Sequence, residues 1–182
     1  DVTGTVSNGT FTGLPLQADA REAEFRIAAS RQGLDVRGDA RIFGIPSKVA
    51  FVSRKTDDTA GAVAGGGGRA TLDLVTAGSD LETVARVATQ LGVTGFAGVK
   101  LSDLRLDGIA DVTVKVAFPT GRKLARADVD LETDIVVQKA SIDGLPIVQS
   151  ARDVEFVGHF SDAMNEISGT ATLFGASMDF AV

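Results

Sequence analysis

His159 is the only histidine of the chain and cysteine is absent, so residues able to do acid–base or metal chemistry are few. A metal ligand or a general base needs partner groups within reach. Neither a cysteine nor a dense run of carboxylates accompanies His159 in the sequence. We therefore predict that His159 is an ordinary strand residue, and we expect neither a metal site nor a cofactor.

Two acidic pairs, Asp57-Asp58 and Asp128/Asp130, are the other candidates for acid–base work or calcium binding. Neither pair has the ligand spacing of a calcium-binding loop, so we interpret both as solvated charges. The serine residues have no nucleophile-elbow motif and no second histidine to act as a base. These features predict a chain without enzymatic activity.

A run of glycines, Gly65 to Gly68, invites comparison with a phosphate-binding loop. Such loops continue into Gly-Lys-Ser/Thr and a helix, whereas Arg69 here begins a strand-like stretch. The run also has high backbone freedom and no hydrophobic period. Residues 61–68 are therefore predicted to form a flexible loop.

The composition excludes some classes of partner. The net charge is −6, and no lysine or arginine cluster suited to a phosphate backbone is visible along the sequence. We expect no nucleic-acid partner, and no attraction to an anionic membrane surface by charge alone. Ten phenylalanines occur without tryptophan or tyrosine, which suits a dry core or hydrocarbon chains better than a half-wet recognition surface.

Hydrophobic alternation with a period of two dominates the 182 residues and predicts strands with one apolar and one wet face. A one-sided antiparallel sheet is the natural interpretation. One stretch has helical spacing instead, and predicts a single helix near residues 80–91. Ser79 with Glu82 has the form of a capping box at its start, and Gly92 is a plausible stop.

The strongest sequence feature is an internal repeat. Residues 13–51 align without a gap on residues 144–182 at an offset of 131, with 13 of 39 positions identical. Each copy is predicted to form a strand, a turn, a second strand, a Phe-Gly turn and a third strand. Such a meander cannot bury its apolar face alone, so we expect an extended sheet continued by neighbouring strands.

No apolar run of about 18 residues is present, and the first residues lack the basic and apolar regions of an export signal. Asp1 is not an initiator methionine. We therefore expect residues 1–182 to be a single segment of a larger protein, with any signal or anchor outside it.

Two motifs carry a resemblance to a known family. Residues 167–175, Ile-Ser-Gly-Thr-Ala-Thr-Leu-Phe-Gly, and their counterpart at residues 36–44 resemble a strand and Phe-Gly turn that recur in AsmA-like proteins. Residues 107–119 are similar to another pattern, a glycine followed by an alternating strand closed by proline. With the helix between them, the order resembles the middle region of YhdP- or TamB-type bridge-like lipid transport proteins over most of the chain.

The resemblance implies a long, curved antiparallel sheet, a β-taco, whose open apolar groove carries phospholipid acyl chains between the inner and outer membranes. It also implies a periplasmic location, an inner-membrane anchor outside this segment, and contacts with envelope proteins and membranes through other parts. It offers no catalytic residues. The candidate groove residues are Phe25, Ile27, Val36, Ile42, Val112, Val114, Val116, Phe156, Ile167 and Leu173. The alternatives are a structural or adhesin-like repeat protein and an ordinary sandwich with a packed core.

Overall fold

The computed structural model describes residues 1–12, 19–55, 68–90, 93, 95–96, 99–120, 125 and 128–181. In these residues the chain is mainly β-structure with one short α-helix, as the alternation predicts. The elements are β1 (Val2–Phe11), β2 (Ala20–Ser30), β3 (Gly33–Ile42), β4 (Ile45–Lys55), β5 (Gly68–Asp80), α1 (Leu81–Gln90), β6 (Gly95–Phe96), β7 (Val99–Lys100), β8 (Arg105–Pro119), β9 (Asp130–Leu145), β10 (Gln149–Ser161), β11 (Asn165–Leu173) and β12 (Ala176–Ala181).

Ten of these strands form one open antiparallel sheet in the order β1-β2-β3-β4-β5-β8-β9-β10-β11-β12, and β6 pairs with β7. Strands that are neighbours in the sequence are mostly neighbours in the sheet, because each short turn returns the chain beside the strand it has just left. The predicted long antiparallel sheet with a single helix is therefore confirmed.

The ends of the helix and of the glycine-rich loop differ from the sequence prediction. The side chain of Asp80, rather than Ser79, caps α1, since its Oδ2 accepts the Thr83 N–H at 2.8 Å. Most of the predicted loop 61–68 lies outside the described residues, as do Asp57, Asp58 and Gly92. Gly68 is a correction to that loop, because it is the first residue of β5 and pairs with Lys55 of β4.

The chain divides into two compact units. Unit 1 comprises Asp1–Val75 and Thr113–Glu132, and unit 2 comprises Thr76–Val112 and Thr133–Val182. Each unit has one cluster of buried apolar side chains. Among the described residues, no helix is long and apolar enough to cross a membrane.

The meander β2–β4 in unit 1 and the meander β10–β12 in unit 2 correspond residue by residue at the offset of 131. In the first, Phe25 pairs with Gly38, and in the second Phe156 pairs with Gly169. Residues 13–18 of the first predicted copy and residue 182 of the second lie outside the described part of the chain. For the rest, one spacing of apolar residues and turns produces the same strands and register twice.

A β-bulge at equivalent positions of β2 and β10 changes which residues face the apolar side. Glu22 has φ 51° and Asp153 has φ 49°, and the pairing register shifts by one residue around each. The extra residue reverses the alternation, so that Ala20 and Ala23, three positions apart, are both fully buried. A strict period of two could not have placed both alanines on one face.

The Phe-Gly turns place a bulky residue in a conformation that favours glycine or asparagine. Phe43 and Phe174 have φ 53° and 54°, and the glycines that follow have φ 82° and 80°. Two-residue hairpin turns with positive φ at both positions prefer Asn-Gly. The ring of Phe43 packs against the unit 1 cluster, whereas Phe174 is 82% exposed.

Replacing Phe174 with asparagine is therefore expected to raise the free energy of unfolding by about 1 kcal/mol, because the left-handed strain falls and little packing is lost. The matched variant Phe43→Asn should show no gain, since it loses the contact of its ring with the cluster. Urea unfolding followed by circular dichroism measures both. Equal changes in the free energy of unfolding of the two variants would contradict this explanation.

Candidate functional site

The apolar face of unit 1 is built from side chains that lie directly opposite one another on adjacent strands. One such row runs from Ile27 through Val36 and Phe51 to Leu72. The next apolar row towards the Phe43 turn contains Phe25, and its ring lies 5.3 Å from that of Phe11 between centroids. No α-helix occurs among the described residues of unit 1, so these side chains are buried against one another across the strands.

Six of the ten candidate residues belong to this face. Phe25, Ile42 and Val116 are buried within the unit 1 cluster. The other three, Ile27, Val36 and Val114, are half-buried and pack against it. The face thus has a closed part, which includes Phe25, and a more open part of half-buried side chains.

Unit 2 has its own apolar cluster, which includes three further candidates. Val112, Phe156 and Leu173 are half-buried and pack against buried residues of β8, β9, β10 and β11. Leu81 is buried in the same cluster and Val84 packs against it, so α1 covers part of this face.

Ile167 is the remaining candidate. It lies in β11, directly opposite Gly158 of β10, and is half-buried. The ten candidates therefore divide between two units, and a channel continuous from end to end stays a prediction.

The residues that the sequence prediction missed are mainly alanines. Ala20, Ala110, Ala140 and Ala151 are at most 3% exposed, yet none was a candidate. Alanine gives a weak hydrophobic signal, and the bulges at Glu22 and Asp153 break the period of two close to Ala20 and Ala151. A usable signal was the repeated spacing of three in Ala20-Arg-Glu-Ala and Ala151-Arg-Asp-Val.

The opposite face carries charged side chains arranged in pairs across the strands. Arg41 binds Glu22, Arg69 binds Asp130 and Arg152 binds Asp143 through contacts of 2.9, 2.5 and 2.8 Å. Asp128 accepts the N–H of Ala125 at 3.0 Å. Asp128 therefore contacts a residue three positions away and Asp130 contacts a residue 61 positions away, and their interpretation as solvated charges stays a prediction.

His159 has a carboxylate partner that the sequence analysis did not find. Its Nδ1 lies 2.8 Å from Asp134 Oδ1 on the neighbouring strand β9, and Glu166 of β11 lies directly opposite in the pairing register. Asp134 is 25 residues away in the sequence, so spacing alone could not reveal it. As predicted, His159 is a strand residue, and it lies on the polar side of β10 next to exposed Val157 and Glu155.

Comparison with protein-family models, curated proteins and solved structures gives no match for this chain. The structure therefore defines the class as an open antiparallel sheet with a single short helix, in which each of two units has a cluster of buried apolar side chains.

Proposed function

We propose that this chain is a segment of a bridge-like protein that carries phospholipids between the inner and outer membranes of a bacterial envelope. Acyl chains would lie on the apolar faces of the sheet, and the segment would work in the periplasm within a longer, AsmA-like protein. The observation that carries the proposal is the half-buried apolar row of Ile27, Val36 and Phe51 on an open sheet.

The chemistry of that row supports a lipid over a polar ligand. Its side chains have no hydrogen-bonding groups, and the stretch from Ile27 to Phe51 spans three adjacent strands. Hydrocarbon is held by the apolar area removed from water, about 25 cal/mol for each Å², and this needs no directional contact. No catalytic group is required, in keeping with the prediction that the chain is not an enzyme.

A structural repeat protein with an ordinary packed core is the second candidate function. The observation that favours it is the burial of Ala20, Ala23 and Val116, which are at most 2% exposed and are covered by other side chains of the unit 1 cluster. In that case the half-buried residues lie at the edge of a packed hydrophobic core and bind no ligand. The two functions differ in what the half-buried side chains contact in the cell.

Site-specific photocrosslinking separates these functions. A photoreactive amino acid at Val114 or Phe156, both half-buried in apolar clusters, is expected to form phospholipid adducts in cells that export the whole protein. Matched probes at Lys115 and Val157, the next residues along β8 and β10 and more exposed, should form few adducts, because successive strand residues face opposite sides. Equal labelling of both faces, or none in a folded protein, would contradict lipid carriage.

The variant Val114→Asp tests the same proposal without a probe. A carboxylate on the lipid-bearing face lowers lipid adducts at neighbouring positions, since burying an unpaired charge against acyl chains costs several kcal/mol. An open face admits water around Val114, so the sheet should survive. The variant His159→Gln serves as a control that keeps lipid labelling, because His159 contacts Asp134 on the polar side. Unfolding of Val114→Asp would favour the packed-core function.

A further inference from the structure

One end of unit 1 gathers basic side chains that are distant in the sequence. Arg31 lies in the turn between β2 and β3, and Arg54 and Lys55 are the last two residues of β4. The Lys55 N–H donates to Gln32 O at 3.0 Å, which holds the end of β4 against that turn. We call Arg31, Arg54 and Lys55 the basic rim.

The rim is exposed and its charges are not neutralised by the acidic residues described nearby. Asp35 is bound by Arg37, and Asp130 is bound by Arg69, which lies directly opposite Arg54. The described residues provide no ion-pair partner for the three rim side chains. Among the described residues, positive charge is therefore in excess at this end of unit 1, although the net charge of the chain is −6.

The second copy of the meander shows that the charge of Arg31 is not needed for an equivalent turn, whereas Arg54 and Lys55 lie after the repeated residues 13–51 and have no counterpart. At the offset of 131, Asp162 occupies the place of Arg31 in an equivalent turn. On the adjoining strands Arg26 lies directly opposite Arg37, and Val157 and Ser168 occupy the equivalent pair. Like charges opposite each other destabilise a sheet. Arg31 therefore calls for an explanation other than the formation of its turn.

Apolar side chains reach the same end from the other face. Leu34 and Ala29 are half-buried and form the apolar row next to Arg54, and Ile27 follows with its neighbours Val36 and Phe51. A surface that is cationic at its edge and apolar just inside matches a phospholipid interface, where phosphates lie above acyl chains. An acidic protein would match the charge but not the apolar row.

We propose that the basic rim docks unit 1 onto an anionic phospholipid bilayer surface, with Arg31, Arg54 and Lys55 contacting lipid phosphates. The proposal deepens the proposed function, because docking at the open part of the apolar face gives acyl chains a way onto it. The sequence predicted no attraction to a membrane by charge alone, since these three residues form no cluster until the strands are paired.

Vesicle co-sedimentation tests the proposal. The chain should bind vesicles of phosphatidylcholine with 30% phosphatidylglycerol more tightly than vesicles of phosphatidylcholine alone, and added salt should weaken binding. Each neutralised rim residue should lower the affinity about fivefold, and Arg31→Gln combined with Arg54→Gln and Lys55→Gln about a hundredfold. Arg31→Asp introduces the residue that the second copy already has in its turn, so the turn is expected to form.

Lys48→Gln is the matched control, because Lys48 is an exposed residue on the polar face of the same strand, opposite Asp39. It should change vesicle affinity less than twofold. Equal losses for Lys48→Gln and Arg31→Gln would overturn the proposal, as would binding that ignores phosphatidylglycerol. Binding to a single-stranded oligonucleotide as tight as to the vesicles would also overturn it in favour of a general polyanion site. Lipid adducts at Val114 test the proposed function independently, so either idea can fail without the other.

Discussion

Replacing Val116 with aspartate is expected to lower the free energy of unfolding of unit 1 by about 4 kcal/mol at neutral pH, enough to unfold a marginally stable unit. Val116 is 2% exposed and lies in the cluster with Phe25 and Ile42. A carboxylate there loses its hydration and gains no cation among these apolar neighbours. This result is expected whether the face carries lipid or is an ordinary core.

The effect of Val116→Asp should depend on pH in a defined direction. Burial raises the pKa of the introduced carboxyl above the ordinary aspartate value of about 4. The folded state then binds the proton of this carboxyl more tightly than the unfolded chain does. The loss of stability should therefore be smaller as the pH falls towards 4, and larger as the pH rises through the raised pKa. Urea unfolding at pH 4.5 and 7 measures this difference.

Val75→Asp is the control for that measurement. Val75 is 40% exposed, lies in unit 1 and pairs with Lys48 across β4 and β5. The same change there keeps the carboxylate in water beside a cation, so the free energy of unfolding should change by less than about 1 kcal/mol. A large loss of stability in Val75→Asp, or no loss in Val116→Asp, would contradict the burial of Val116 in the unit 1 cluster.

Replacing Gly38 with alanine is expected to cost about 3 kcal/mol, for a steric rather than an electrostatic reason. A Cβ on Gly38 would lie 1.9 Å from Glu24 O and 2.9 Å from Phe25 Cδ1. The oxygen belongs to the backbone of β2, so a side-chain rotation cannot relieve the clash and the two strands must separate. The ring of Phe25 covers this glycine from the opposite position of the pair.

Unit 2 offers a second test of the same contact. A Cβ on Gly169 would lie 2.1 Å from Glu155 O and 2.6 Å from Phe156 Cβ, so Gly169→Ala should destabilise unit 2 comparably. Gly4→Ala is the control, because Gly4 is a strand residue with nothing within 4 Å of its would-be Cβ. Hydrogen exchange reports each unit separately. If Gly4→Ala lowered the free energy of unfolding as much as Gly38→Ala, alanine would destabilise these strands without any steric clash.

Secondary structure was largely predictable because its signals are local. The period of two requires only that one face of each strand be apolar, and the repeat doubles the number of observations, so strands such as β3 and β11 could be placed from the sequence. The helix was predicted within about one residue, because its hydrophobic spacing is local as well. The sequence pattern predicts Ser79 as its cap, whereas the cap is Asp80, since both residue types cap helices and only the hydrogen bond to Thr83 decides between them.

Contacts between distant residues were decided only by the tertiary structure. A bulge depends on how two strands pair, so the burial of Ala23 could not follow from a strict alternation. Pairing also brought Asp134 to His159, and it placed Lys55 against the turn that contains Arg31, although the sequence separates them. The sequence alone determined a repeated, one-sided antiparallel sheet, because side-chain alternation and turn residues act within a few positions. The division of the apolar residues between two units depends on which strands lie side by side, and the folded chain alone determines that.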